Sequence, residues 1–271
     1  MSELSDEELT EALAEHGVGL TPYEARRVAE LIGHDPTLTE VHIFNVEWSE
    51  HCSYKSSRAS LSLLPTDGPN VLLGPQEDAG IVRFCEHEGK VYGIVFAHES
   101  HNHPSQVLPR EGAATGIGGI VRDVDCMGAR VIATGDPLRF GSLTGESAEH
   151  TRWITDGVVE GIWQYGNALG VPNLGGDVYF RDSYDDNCLV NVVALGLVAE
   201  EDIIHSFAPP EAKDHPYDMI LVGKPTDDSG FGGSAFASKI LSAEEAADDR
   251  GAVQVDDPFL KNVLAMRKAN E

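Results

Sequence analysis

The chain has 271 residues, of which 41% are hydrophobic and 28 are glycine. This length and composition are typical of a globular protein with one large domain or two ordinary ones, and they exclude a disordered chain. The formal net charge is −26, from 45 acidic and 19 basic residues, which argues against binding to nucleic acid or to anionic membranes. The acidic residues form no tail, so they predict a solvated acidic surface. Such an excess also suits a high-salt cytosol, where ions screen the repulsion.

The sequence predicts a cytoplasmic protein. The first residues are acidic and lack the apolar core of a signal peptide, and no apolar run reaches membrane-spanning length. The cysteines form no C-x-x-C pair and are expected to be reduced thiols. They are Cys52, Cys85, Cys126 and Cys188.

Helices are predicted in the N-terminal part of the chain. The first begins at Ser5, which forms a capping box with Glu8. The second opens at Pro22, because proline suits the first helical position. The next segment is ambiguous, since residues 41–48 keep helical spacing while residues 41–43 would equally fit a strand.

Short strands and long helices follow, a pattern typical of an α/β (α+β) fold. Residues 81–85 and 91–97 are separated by a short polar link and predict a hairpin. The other predicted strands are residues 61–64, 71–73, 131–133, 189–198 and 219–222. The other predicted helices are residues 110–130, residues 151–169 and a last helix that starts at Pro258. Residues 230–233 are predicted to form a glycine-rich turn that opens towards residues 234–241.

Three polar clusters could carry chemistry: residues 50–55, residues 99–105, and the pair Arg122 and Asp123. Polar side chains directly after a buried strand are typical of functional sites. Glu99 and Asp123 offer the hard oxygen ligands that suit Mg²⁺ bound to a phosphate. Arg122 offers a forked donor for a phosphate group.

The histidines of these clusters allow two interpretations. His51 and His101 could transfer protons near neutral pH. Alternatively, Glu99, His101 and His103 could bind zinc, because alternate residues of a strand share one face. The glycines at the start of the helix predicted after residue 110 could bring the backbone close to an anion or could simply allow close packing.

Three motifs, in this order, closely resemble the synthetase subunit family of phosphoribosylformylglycinamidine synthase (PurL). They are WSEHCSYK at residues 48–55, ESHNHPS at residues 99–105 and GGIVRD at residues 118–123. Residues 232–238 and 254–259 are also similar to that family, so the resemblance covers nearly the whole chain. It implies a PurM-like N-terminal domain followed by the truncated start of a PurM-like C-terminal domain.

The resemblance also implies an ATP-dependent carbon–nitrogen ligase of purine biosynthesis. Formylglycinamide ribonucleotide (FGAR) would be converted to formylglycinamidine ribonucleotide with glutamine-derived ammonia. The amide oxygen would attack the γ-phosphate of ATP, and ammonia would displace the iminophosphate. The implied partners are a PurQ-like glutaminase subunit, a PurS-like small subunit and the missing C-terminal half of the same subunit.

Residue roles follow by position in the matching motifs. The resemblance implies that His51 is catalytic, that His101 is the proton acceptor, that Tyr54 contacts ATP, that Glu99 and Asp123 bind Mg²⁺, and that Ser100, His101, Asn102, His103, Arg122 and Gln254 bind substrate. Ala97 is a departure, because many members of the family carry a lysine there that contributes to ATP binding.

The expected organisation is a helical segment (residues 1–40), the PurM-like N-terminal domain (41–203), a proline-containing linker (204–215) and an incomplete second domain (216–271). A domain of the last size is too small for a good core, so we expect a truncated chain that is inactive or partial alone. The alternatives are another ATP-dependent synthetase of the superfamily, such as aminoimidazole ribonucleotide or selenophosphate synthetase, a non-catalytic assembly or binding module, and a zinc hydrolase.

Overall fold

A computed structural model describes residues 4–223, 225, 229–230, 232–237, 241, 248–254 and 257–268. The chain divides into two compact units. The first consists of Met1–Leu64 and Phe231–Glu245, and the second of Pro65–Gly230 and Ala246–Glu271. Within the described ranges, no helix has the length and apolar character needed to cross a membrane.

The first unit is helical. Its helices are α1 (Asp6–Glu15), α2 (Pro22–Ile32), α3 (Leu38–Glu47), α4 (Glu50–Ser53) and α5 (Arg58–Leu61). Each of the first three begins with a reciprocal capping box, formed by Ser5 with Glu8, Thr21 with Glu24 and Thr37 with Glu40. These caps satisfy the first backbone N–H groups, which confirms the two predicted helices and makes the ambiguous third segment a helix. Leu9, Leu13, Val28 and Val41 lie in its core.

One predicted strand in this unit is wrong. Residues 61–64 end helix α5 and then form a turn, in which Leu63 and Leu64 are 83% and 61% exposed. The backbone N–H of Leu61 donates to Ser57 at 2.9 Å, which closes a helical turn. An apolar run forms a strand only where a neighbouring strand accepts its hydrogen bonds, and this run pairs with none of the described strands.

The second unit is built on a six-stranded sheet with the order β1-β2-β3-β6-β4-β5. Its strands are β1 (Val71–Leu73), β2 (Gly80–His87), β3 (Lys90–Ser100), β4 (Arg130–Phe140), β5 (Asn173–Phe180) and β6 (Leu189–Ala199). All neighbours are antiparallel except β4 and β5, which are parallel. The predicted hairpin of β2 and β3 is confirmed, with Glu88 and Gly89 at positive φ in its turn.

Helices cover one face of this sheet. They are α6 (Asn102–Val107), α7 (Pro109–Cys126) and α8 (Ala148–Leu169). Ile117, Ile120 and Val124 of α7 pack with alternate residues of the sheet, such as Val95 and Val192. Those residues are buried, whereas Val82 and Phe96 on the opposite face are about half exposed. The alternation follows from the period of two residues in a strand.

The remaining described helices are α9 (Gly233–Phe236), in the first unit, and α10 (Pro258–Lys268), in the second. The side-chain amide of Asn262 donates to the carbonyl of Ala168 at 2.9 Å, which joins α10 to α8. The helix predicted to start at Pro258 is therefore confirmed. Of the glycine-rich turn predicted at residues 230–233 and the segment 234–241 that follows it, residues 231 and 238–240 lie outside the described part.

The strand predicted over residues 219–222 is also wrong. These residues form no regular structure, and Met219 and Ile220 are 100% and 82% exposed. None of the described strands lies beside them. The preceding segment is held at one end, where the carboxylate of Glu77 accepts from the backbone of Ser206 at 2.6 Å and pairs with His205 at 2.8 Å.

Candidate functional site

The predicted site lies where β3 ends and α6 begins. Glu99 pairs with Val192 in the sheet, and the N–H of His101 donates to the carbonyl of Val190 at 2.8 Å. The chain then turns into α6, so His103 belongs to a helix. The zinc alternative placed His103 on the same strand face as Glu99, and this arrangement is wrong. Among the described residues, no group of three or more metal-binding side chains is arranged to hold an ion.

His101 is held at its Nδ1 atom. That atom lies 2.6 Å from the carbonyl oxygen of Gly112 in α7. A carbonyl only accepts, so Nδ1 carries the proton, and in the neutral ring Nε2 is the basic atom. Gly116, one turn further along α7, lets the helix approach, because a Cβ atom there would lie 3.1 Å from the Cβ of His101.

Glu99 near the end of β3 and Asp123 on α7 form an acidic pair. Burial raises the pKa of Glu99, and the nearby charge of Asp123 raises it further. Burial also raises the pKa of Asp123, although Arg122 opposes this shift from 3.2 Å away. Two partly buried carboxylates with raised pKa values form an oxygen donor set that a hard divalent cation would stabilise, so these residues fit Mg²⁺.

The other predicted substrate residues have distinct surroundings. The side-chain oxygen of Asn102 accepts from the N–H of Val190 at 2.8 Å, so it anchors α6 to β6. Ser100 is exposed at the end of β3, and Arg122 has a side chain that is 61% exposed. The carbonyl of Gln254 accepts from the hydroxyl of Thr115 in α7 at 3.0 Å, which places Gln254 in the second unit beside that helix.

His51 and Tyr54 lie in the first unit. Ser49 caps the short helix α4 that carries His51, by accepting from the N–H of Cys52 at 3.3 Å. Tyr54 follows in the left-handed region with φ 51°. Hydrogen bonds from Ser56 and Ser57 lower the pKa of Glu50 to about 2, so its carboxylate orders this turn.

Ala97 has a structural role here. Its side chain is 6% exposed and lies in the core under α7, opposite Ala194 of β6. The position at which the resemblance leads one to expect lysine is therefore filled by a small apolar side chain, and no cation is available from it.

Sequence reasoning missed a cavity of about 650 Å³ between α8 and strands β4 and β5. Asp136 lies in its wall and is 6% exposed. Asn173 donates to its Oδ2 atom, whereas Oδ1 is buried and has no hydrogen-bond partner among the described residues. Burial raises the pKa of Asp136 to about 6. The aromatic ring of Trp163 and the side chain of Val178 contribute to the apolar wall.

Two sequence signals point to this cavity. Asp136 directly follows the apolar run and the small residues at the start of β4, and a carboxylate that is buried in a strand needs a partner. Gly175 and Gly176 interrupt β5, and a Cβ atom at Gly176 would collide with the backbone of Asp136. Gly176 therefore lets β5 lie close to β4 at the cavity.

Two family models match the chain. Residues 76–198 match the AIR synthase related protein, N-terminal domain, and residues 9–55 match the formylglycinamide ribonucleotide amidotransferase linker domain. The first match falls in the second compact unit and the second match in the first unit.

Two curated proteins that are similar to this chain have the same name. Phosphoribosylformylglycinamidine synthase subunit PurL of Methanothrix thermoacetophila is 60% identical over 269 residues, which are 99% of this chain and 34% of the relative. The subunit of the same name from Thermus thermophilus is 48% identical over 94% of this chain and 33% of the relative. The chain thus spans about a third of the length of these relatives.

Solved structures give the same result. "T. maritima PurL complexed with FGAR" matches with a TM-score of 0.71 and 34% identity, over 91% of this chain and 36% of that one. "T. maritima PurL complexed with ATP" matches with a TM-score of 0.66 and 32% identity, over 91% of this chain and 34% of that one. The sheet-and-helix unit therefore has the fold of these synthetase subunits, which is the PurM-like fold expected from the sequence.

Proposed function

Because the chain belongs to the family of phosphoribosylformylglycinamidine synthase PurL subunits, we propose that it forms part of the site that amidates FGAR with ammonia and ATP. One observation carries the proposal: Glu99, Asp123 and Arg122 lie together beside a histidine whose basic atom is fixed. Two of the similar structures, both of T. maritima PurL, are named as complexed with FGAR and with ATP.

The proposed reaction has two steps. The amide oxygen of FGAR attacks the γ-phosphorus of ATP, so that ADP leaves and an iminophosphate forms. Ammonia then adds to the carbon of the former amide group. The bond between that carbon and the phosphorylated oxygen breaks, and inorganic phosphate leaves. In the first step the amide nitrogen of FGAR loses a proton, and Nε2 of His101 accepts it. The neutral tautomer of His101, with its proton on Nδ1, leaves Nε2 basic and so allows this transfer.

The charged residues would stabilise the transferring phosphoryl group. Glu99 and Asp123 would hold Mg²⁺, which neutralises the charge that develops on the phosphate oxygens. Arg122 offers its exposed guanidinium group as a forked donor to a phosphate. The remaining residues are assigned the roles predicted from the motifs. A catalytic role is proposed for His51 and a contact with ATP for Tyr54. Substrate binding is proposed for Ser100, Asn102, His103 and Gln254.

The cavity under α8 would bind the base of a nucleotide. Its volume and largely apolar wall are typical of small-molecule sites that contain a few polar groups. Asp136 lies in this wall, its Oδ1 atom is buried without a hydrogen-bond partner among the described residues, and a small turn of the side chain would let Oδ1 accept from the exocyclic amine of adenine. The amine would then be a hydrogen-bond partner for this buried oxygen, which has none among the described residues.

The proposed partners are the remainder of the same subunit, a PurQ-like glutaminase and a PurS-like small subunit, in the cytoplasm. The similarity to "Structure of PurLQS from Thermotoga maritima", with a TM-score of 0.65, supports such an assembly. The proposed PurM-like domain, residues 41–203, contains the match to the AIR synthase N-terminal domain.

The test compares this chain alone with a full-length subunit that carries it. Each is incubated with FGAR, ATP, Mg²⁺ and ammonia, and ADP and the amidine product are measured. We expect product from the full-length subunit, and FGAR binding without turnover from the chain alone. ADP release that depends on a different substrate would contradict the proposed function, and robust product from the chain alone would contradict its partial nature.

A further inference from the structure

The short helix α6 needs outside support. It has six residues, and no side chain caps its N-terminus. A helix of this length is not stable by itself in water, so tertiary contacts decide where it lies. Its position matters because it carries Asn102 and His103 and begins directly after His101.

Gln106, on the last turn of α6, supplies such a contact through both ends of its amide. Its Oε1 atom accepts from the N–H of Cys188 at 2.8 Å, and its Nε2 atom donates to the carbonyl of Asp185 at 3.3 Å. The same Nε2 atom lies 3.4 Å from Nε2 of His150. Cys188 is 1% exposed, so its N–H would have no access to water if Gln106 were lost.

Asn102 makes the same kind of contact one turn earlier, to the N–H of Val190. Four residues of helix rise about 6 Å, and two residues of strand advance about 6.6 Å. The two side chains of α6 therefore match the spacing of the N–H groups at 188 and 190. As far as His101, the backbone of β3 forms the hydrogen bonds to β6. Beyond that point, the side-chain oxygens of Asn102 and Gln106 accept from the N–H groups at 190 and 188 instead.

We propose that Gln106 is a positioning residue for the reaction, which sets the register of α6 on the start of β6 and thereby fixes the orientation of the segment from His101 to His103. The inference rests on the proposed function. His101 is tied to the same helix, because the hydroxyl of Ser105 donates to its carbonyl at 2.6 Å. A shift of α6 is thus transmitted to the backbone of the proton acceptor.

The test uses a full-length subunit that carries this chain, assayed with ammonia, and three variants. Gln106→Met keeps the length of the side chain and removes its hydrogen bonds. Gln106→Glu keeps the acceptor for Cys188 and, when protonated, regains a donor for Asp185. Gln164→Met is the matched control, since the Gln164 amide bonds Glu160 on the same helix, at 2.7 Å.

We expect kcat of Gln106→Met to fall about tenfold or more, because small misplacements of reacting groups have such effects. The KM for ATP and the activity of Gln164→Met should stay at the level of the unchanged subunit. The kcat of Gln106→Glu relative to Gln106→Met should rise as the pH falls and the carboxyl becomes protonated. A role in stability alone would lower the melting temperature and leave kcat unchanged well below it.

Hydrogen exchange of the backbone amides of residues 188 and 190 is measured in parallel and does not depend on activity. Faster exchange in Gln106→Met than in Gln164→Met supports the inference. An unchanged kcat, or equal exchange in these two variants, would overturn it. If the unchanged subunit makes no product, the proposed function fails, and the exchange measurement still decides whether Gln106 holds α6.

Discussion

The Nδ1 atom of His101 lies 2.6 Å from the carbonyl oxygen of Gly112, one turn into α7. This contact fixes the ring tautomer before any ligand binds. A base whose proton-bearing nitrogen is already held by the helix needs no rearrangement when the substrate arrives, which favours proton transfer.

Replacing His101 by asparagine separates its two roles. The Nδ2 group of asparagine occupies nearly the place of Nδ1 and can still donate to Gly112, so we expect little loss of stability. The basic nitrogen is lost, and kcat should fall by about 10²-fold or more. Thermal unfolding and steady-state kinetics of a full-length subunit check both parts, with His87→Asn, an exposed histidine, as the control. A variant with normal kcat would exclude His101 as the proton acceptor.

Gly116→Ala should disturb the same ring from the helix side. The added Cβ would lie 3.1 Å from the Cβ of His101, closer than most such contacts. We expect a loss of about 1–3 kcal/mol in the free energy of unfolding and weaker FGAR binding, measured by denaturant titration and calorimetry. Gly166→Ala in α8 meets its nearest neighbour at 3.8 Å and should be tolerated. Equal behaviour of the two variants would mean that α7 has room to move.

Asp136 predicts a pH dependence of stability. The pKa of its carboxyl is raised from 3.8 to about 6 in the folded chain, so the folded state binds more protons than the unfolded state between these values. Ionisation of Asp136 therefore opposes folding, and the free energy of unfolding decreases as the pH rises from about 4 to about 6. Asp136→Asn should remove that slope and stabilise the second unit at pH 7 by about 1–3 kcal/mol. Unfolding curves over this pH range test it, with the exposed Asp156→Asn as the control.

The same substitution should weaken nucleotide binding. Asn173 donates to one oxygen of Asp136, so in Asp136→Asn the remaining oxygen keeps that bond and the new NH₂ group takes the place of Oδ1, the atom proposed to accept from the base. An NH₂ group cannot accept from the amine of adenine, and we expect ATP affinity to fall about tenfold. Calorimetric titration with ATP measures the change. Unaltered affinity, together with the expected gain in stability, would place the base elsewhere.

The net charge of −26 predicts that salt stabilises the fold. Raising KCl from about 0.1 M to about 1 M shortens the Debye length from about 10 Å to about 3 Å and so weakens the repulsion among acidic side chains. The melting temperature should rise over this range of KCl. The control is the melting temperature in sucrose at equal osmolarity, which does not screen charge and so separates screening from water exclusion. A maximum of stability without salt would contradict the high-salt interpretation.

Local signals explain which elements the sequence predicts well. Helices α1 to α3 begin at capping boxes, whose hydrogen bonds join residues three apart, so they can be recognised in a short window. The hairpin of β2 and β3 is equally local. Strand β5 was not predicted, because Gly175 and Gly176 weaken its pattern and the strand that it pairs with, β4, lies about 40 residues earlier in the chain. Residues 61–64 show the converse error, an apolar run that pairs with none of the described strands.

The candidate site divides in the same way. Glu99, His101 and Arg122 could be selected from motifs, because each stands in a short and distinctive run of residues. The bond from His101 to Gly112 and the role of Gln106 depend on how α6 and α7 pack, which no single motif encodes. The cavity at Asp136 arises where α8 meets β5, so its members are scattered from residue 134 to residue 178.

The two edges of the sheet in the second unit are unequal, and this limits how that unit can self-associate. Strand β5 presents an outer edge of eight residues, beyond which none of the described strands lies, whereas the opposite edge strand, β1, has only three residues. An open edge is a template for pairing with another chain. Two β5 edges can pair with each other, but β1 is too short to continue the sheet on the far side. If copies of an isolated unit associated through these edges, we would expect growth to stop at two copies instead of continuing into a fibre.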